Sequence, residues 1–117
     1  MNVVVESGNL VRDAEIRAFQ SGMEVCTFTI AVNTRVKANG TWEDYANYFD
    51  CKMYGDRASK IVGYLKKGSK VTIMGKLKHE RWEKDGKKGS KVCIVVNEID
   101  LPPKQKEETV YQDDLPF

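Results

Sequence analysis

One segment of helical period sits inside a chain that otherwise alternates like β-strand, and its position leaves few folds open. In Asp56–Leu65, Ala58, Ile61, Val62 and Leu65 fall at helical spacing, with Asp56 as the N-cap and Lys66-Lys67-Gly68 as the stop. Three strand regions precede it. The first is Asn2–Val11, continued by Glu15–Phe19 after a break at Asp13-Ala14; the others are Met23–Arg35 and Trp42–Tyr54. Two follow, Val71–Trp82 and Lys91–Leu101, joined by a polar loop holding Asp85-Gly86 and Gly89-Ser90. Ser21-Gly22 and Asn39-Gly40 mark turns, the second of hairpin type. Five strands with one helix between the third and fourth is the order of an OB-fold, an all-β Greek-key barrel.

The domain is expected over residues 1–101. Pro102-Pro103 stops the last strand, and Lys104–Gln112 has no periodicity, so residues 102–112 read as a flexible linker and Asp113–Phe117 as an acidic tip. A chain of 117 residues has room for one core of ordinary size. No apolar run approaches a membrane span, and the first residues carry no secretory signal, so no membrane is expected and the cytoplasm is the expected compartment. Charge is uneven. The last fourteen residues carry a net −2 and residues 1–103 a net +4, which suits a polyanion ligand and a cationic partner, or else a solvated surface with a frayed end.

Alternation sorts the strands into faces. Cys26, Phe28, Ile30 and Val32 share one face of the second strand. On the third, Tyr45, Asn47, Phe49, Cys51 and Met53 suit the barrel interior, while Ala46, Tyr48, Asp50, Lys52 and Tyr54 point outward. On the fourth, Val71, Ile73, Gly75 and Leu77 take one side; Met74, Lys76, Lys78, Glu80 and Trp82 take the other. Aromatic rings among lysines on adjacent faces fit single-stranded nucleic acid: cations meet phosphates, and any base stacks on a ring. The rival reading is a subunit contact. Trp42, beside Asn39-Gly40, reads equally as a flap contact or as a hydrophobic staple of that loop.

No catalytic constellation is legible. His79 is the only histidine, no Cys-x-x-Cys pair exists among Cys26, Cys51 and Cys93, and the paired carboxylates lie on the tail, so no enzyme activity, metal or cofactor is expected. Cys26 and Cys51 fall on core faces and read as buried structural thiols. The run of Val3-Val4-Val5 exceeds what one side of a small barrel accommodates, so a homo-oligomer is expected, with the surplus buried against a second copy.

In order along the chain, Met1–Val5 with Gly8-Asn9-Leu10, Asp13, Glu15 and Arg17; Phe28–Val32 with Arg35; Tyr48–Gly55; Ala58 and Tyr64–Val71; Gly75-Lys76-Leu77 with Trp82; and Asp113–Phe117 together resemble the bacterial single-stranded DNA-binding protein family. The resemblance implies an OB-fold assembling as a tetramer that coats single-stranded DNA in replication, recombination and repair. It implies that Tyr48, Tyr54 and Trp82 stack bases, and that Asp113, Asp114, Leu115, Pro116 and Phe117 dock partner proteins. The expected DNA site adds Trp42, Arg35, Lys52, Lys76 and Lys78 to those aromatics. Three departures stand out: Ala14 replaces the usual Pro, which should loosen a turn; the long Gly-rich linker is missing; and Arg35-Val36 lies where some members carry an aromatic near the end of the second strand. Rival readings are a protein-interaction OB domain and an RNA chaperone of similar shape.

Overall fold

The computed structural model describes residues 1–101; the expected linker 102–112 and tip 113–117 lie outside the described residues. Six strands form one antiparallel-rich sheet: β1 Val4–Leu10, β2 Glu15–Ala18, β3 Glu24–Ala38, β4 Thr41–Tyr54, β5 Lys70–Lys84 and β6 Lys87–Asp100. Between β4 and β5 stands α1, Asp56–Ile61, extended by a 3₁₀ turn over Val62–Tyr64. The sheet order is β1-β5-β6-β4-β3-β2, and pairing of β1 with β3 closes five of the strands into a barrel. This is the expected OB-fold. The segment expected to continue the first strand, Glu15–Ala18, does not continue β1 but pairs separately as β2 along the β3 edge, from Glu15↔Thr27 to Ala18↔Glu24.

Closure depends on β1 changing partners. Val4–Asn9 pair with β5, and Asn9 and Leu10 pair with Ala31 and Ile30 of β3. At that corner Gly8 lets the backbones approach; a Cβ there would lie 2.6 Å from the Ala31 carbonyl oxygen. The other seam is a short parallel contact between β4 and β6, Cys51↔Ile94 and Lys52↔Val95.

The two hairpins run further than the apolar pattern predicts. Asn39 and Gly40 both have positive φ (53° and 79°), as do Asp85 and Gly86 (55° and 77°). Such two-residue turns match strand twist, so each ladder persists to the turn itself. β3 therefore continues to Ala38, and Gly89-Ser90, expected in a polar loop, lie inside β6. The core stops well before the hairpin tips. Phe28, Ile30, Met53, Val71, Ile73, Ile94 and Val96 fill the barrel, whereas Leu77 and Tyr45, expected inside, are exposed, and Asn47 is half-buried with its amide donating to the Val32 carbonyl. Alternation continues along the strand, but beyond Phe49 and Gly75 there is no opposite wall to bury against.

The helix plugs the barrel end with Ala58, and Leu65 beyond it is fully buried too. Its N-cap is Gly55 (φ 97°), not Asp56, which is the first helical residue; no side-chain capping bond forms. The α-helix also ends four residues earlier than expected, tightening at Gly63, a poor helix former. Two bonds tie its exit to the β1–β2 corner: the Lys67 N–H donates to Asp13 Oδ1 (2.8 Å) and the Ala14 N–H to the Leu65 carbonyl (2.9 Å). Ala14 thus fastens the turn it was expected to loosen, through an N–H that proline lacks.

Cys26 and Cys51 are buried in the core, as expected, and burial pushes their thiols up to about 11 and about 12. The native chain should resist iodoacetamide at mildly alkaline pH and label only on unfolding. The folded chain keeps protons that the unfolded chain releases near its ordinary value of 9.0, so stability holds below that pH and falls as pH rises above it. Rapid native labelling of Cys26 or Cys51 would contradict both statements.

Candidate functional site

Register decides which outward side chains share a surface. The β3–β4 ladder runs unbroken from Val25↔Tyr54 to Ala38↔Thr41, so Trp42, Tyr48, Lys52 and Tyr54 share one face, with Arg35 opposite Asp44 on the same face. On the β5–β6 hairpin, Lys76, Lys78, Glu80 and Trp82 oppose Val95, Cys93, Lys91 and Gly89. The parallel Lys52↔Val95 pair aligns the two ladders, with Cys51 and Ile94 facing the core. All eight residues expected in the site therefore lie on one side of the sheet. Tyr48 is 65% exposed, Trp42 57% and Trp82 50%. At the ordinary strand rise, Tyr48 and Tyr54 stand about 20 Å apart and Trp42 and Tyr54 about 40 Å. The surface is a long track rather than a pocket.

Its cations are not equivalent. Lys52 Nζ donates to both Glu80 oxygens, at 2.8 and 3.0 Å, from a half-buried position. That hydrogen bond holds the Glu80 carboxyl below its ordinary value and raises the Lys52 ammonium. Lys78 stands 4.0 Å from the same carboxylate. Lys91 reaches Asp50 at 3.6 Å, and Asp50 also accepts the Thr29 hydroxyl at 2.9 Å. The Arg35–Asp44 contact, at 3.9 Å, is exposed on both sides, so it adds little stability. Cys93 is buried on this outer face, opposite Lys78, rather than in the core cluster.

A cleft of about 350 Å³ opens at the β2 end of the track, lined by Arg12, Arg17, Phe19, Thr27, Tyr54 and Lys91 among others. Five of these, Arg12, Arg17, Phe19, Thr27 and Lys91, are absent from the sequence-derived site. Arg17 pairs with Val25, which pairs with Tyr54, so one row crosses three strands. The signal for it was the alternation of Glu15–Ala18, which shows its meaning only once the strand is paired with β3.

Gly89 lies directly beneath Trp82. A Cβ at Gly89 would fall 2.6–2.7 Å from the indole, so the ring occupies the space that any other residue would fill. One face of the ring is covered by backbone and the remainder is presented outward. Gly89→Val should displace the indole, shift its emission and near-ultraviolet dichroism, and leave the thermal midpoint nearly unchanged, because the end of the β5–β6 hairpin around Trp82 and Gly89 contributes no residue to the core. Unaltered Trp82 spectra in that variant would refute the packing.

Comparison with known proteins places these features. The model of the single-strand binding protein family matches residues 1–102. The chain is 45% identical over 103 residues to the single-stranded DNA-binding protein of Borreliella burgdorferi, covering 86% of this chain and 69% of that protein. It is 38% identical over 101 residues to the Treponema pallidum protein of the same name, covering 57% of its length. A deletion mutant of the single-stranded DNA binding protein from Thermus aquaticus superposes with TM-score 0.79 at 24% identity, over 90% of this chain and 52% of that one. The Plasmodium falciparum SSB in complex with ssDNA superposes at 0.76 and 21% identity, over 86% of this chain and 92% of that one. At such identities the two structures speak for the fold.

Proposed function

The chain belongs to the single-strand binding protein family, and from that premise we propose that it coats single-stranded DNA without base preference and without catalysis. The observation that carries this is the single face that bears exposed Trp42, Tyr48 and Trp82 together with Arg35, Lys52, Lys76 and Lys78. Tyr48, Tyr54, Trp82 and Trp42 stack bases; Lys76, Lys78 and Arg35 meet phosphates, and Lys52 forms the floor beneath them. The aromatics are separated by charged residues along the track, which suits a flexible polymer better than a subunit contact.

A different surface suits self-association. Val5 opposes Met74 across β1 and β5, and Val3, Val5 and Met74 form an exposed apolar strip. The protein is a homo-oligomer through this strip, a tetramer by family resemblance, and acts in the cytoplasm in replication, recombination and repair. Asp113–Phe117 dock proteins of those processes, their carboxylates repelling phosphate and suiting a basic rim, with Phe117 entering a pocket. The test is a tryptophan-fluorescence titration with oligo-dT at several salt concentrations, with duplex DNA and RNA as competitors. Quenching, steep salt dependence and poor competition by duplex are expected; failure to bind oligo-dT at low salt would overturn the reading. Light scattering reads the oligomer, and a chain lacking Asp113–Phe117 should keep DNA binding while losing partner pull-down.

A further inference from the structure

A surface built only to hold a polyanion has no use for a carboxylate at its centre, yet Glu80 stands there. The barrel does not require it. On β5 the buried positions end at Gly75, and Glu80 lies on the hairpin beyond, facing outward opposite Lys91. The carboxylate is nonetheless well held: it takes two hydrogen bonds from Lys52 and is only 18% exposed, against 23% for Lys52. A phosphate that recruited Lys52 would have to break both bonds and leave Glu80 half-desolvated beside it, so the exchange is unfavourable. Asp50 acts in the same sense on Lys91, though at the longer distance of 3.6 Å.

We propose that Glu80 is a specificity-determining residue of the single-strand site, one that withholds Lys52 from phosphate and so lowers duplex binding more than single-strand binding. The proposal rests on the function proposed above. Its logic is a division of contributions. A duplex offers phosphates at high density but keeps its base faces stacked inward; a single strand offers both phosphates and faces. Cations strengthen both ligands, whereas Tyr48, Tyr54 and Trp82 strengthen only one. Neutralising the centre of the track removes attraction common to both and leaves stacking to discriminate, with phosphates held at positions such as Lys76, which has no ion-pair partner among the described residues. Discrimination through an element that disfavours the wrong ligand is a general device.

The decisive variant is Glu80→Gln, nearly isosteric and lacking the charge. Affinities for oligo-dT and for a duplex of equal length are measured against salt. Releasing one cation should steepen the slope of log K against log salt by about 0.7 on the single strand and about 0.9 on the duplex. At low salt duplex binding should tighten several-fold and the preference for oligo-dT should fall. Glu83→Gln makes the same change of net charge on the opposite face of the same arm, and should shift the slopes less. Glu80→Thr, with a strand-compatible side chain, carries the same expectation if glutamine packs poorly. Unchanged slope and preference in the Glu80 variants, or equal shifts from Glu83→Gln, would overturn the proposal. A wild-type chain that fails to bind oligo-dT would instead refute the underlying function.

Discussion

Alanine at Tyr48 and Tyr54 together should weaken oligo-dT binding by about 2–6 kcal/mol, each ring counting for about 1–3, the range characteristic of OB-fold single-strand binders themselves. The two effects should add because the rings stand about 20 Å apart along β4 and share no partner, so they serve different bases. Neither change should unfold the chain: Tyr48 is exposed, and Tyr54 lies half-buried at the edge of the cleft rather than in the core. Trp82→Ala should lose a similar amount as either single change. Its ring is already braced on Gly89, so little ordering entropy remains to be lost on stacking. Titration at fixed salt, with circular dichroism as the fold control, measures all three. Retained affinity in the Tyr48/Tyr54 double variant would remove β4 from the site.

Gly75→Ala should cost about 3 kcal/mol or more of stability, the upper end of what overpacking does. Gly75 is fully enclosed where β5 crosses β6, and a Cβ there would collide with the Val95 carbonyl, with Val96 Cα only 3.0 Å away. The obstructing atoms are backbone, so no rotamer change relieves them. The register also shifts here: Met74 pairs with Glu98 and Gly75 with Val96, leaving Asn97 without an opposite residue. A bulge at this point bends the sheet as the barrel ends and the arm begins. Separating β5 from β6 would open the closed barrel and re-aim Lys76, Lys78 and Trp82 at once. Urea unfolding should show the midpoint fall with the slope little changed. A loss below about 1 kcal/mol would mean that the strands part at Gly75 without strain.

The contrast between these positions shows what was legible. Gly75 could be placed on the inner face of its strand by alternation alone, but not at a bulge, because the bulge is a property of two strands. Tyr48, Lys52 and Tyr54 were likewise assigned to one face from their own spacing, and the ladder with β3 keeps them there. The tip at Asp113–Phe117 is read from sequence and family resemblance alone.

What the residues determined by themselves is local and periodic: strands by alternation, the helix by spacing and its place between β4 and β5, the first hairpin turn by Asn39-Gly40. From these follow the OB barrel and the side of the sheet that bears the rings. Tertiary structure decided everything that joins residues distant in the chain. The Lys52–Glu80 pair spans 28 positions, Arg17 enters Tyr54's row only through Val25, and Gly89 lies under Trp82 because a two-residue turn sets their register. The physical reason is that a strand's period of two fixes which way each side chain points, whatever the strand pairs with. Which side chain it meets depends on register, and register is set by barrel closure, turn geometry and the bulge at Gly75.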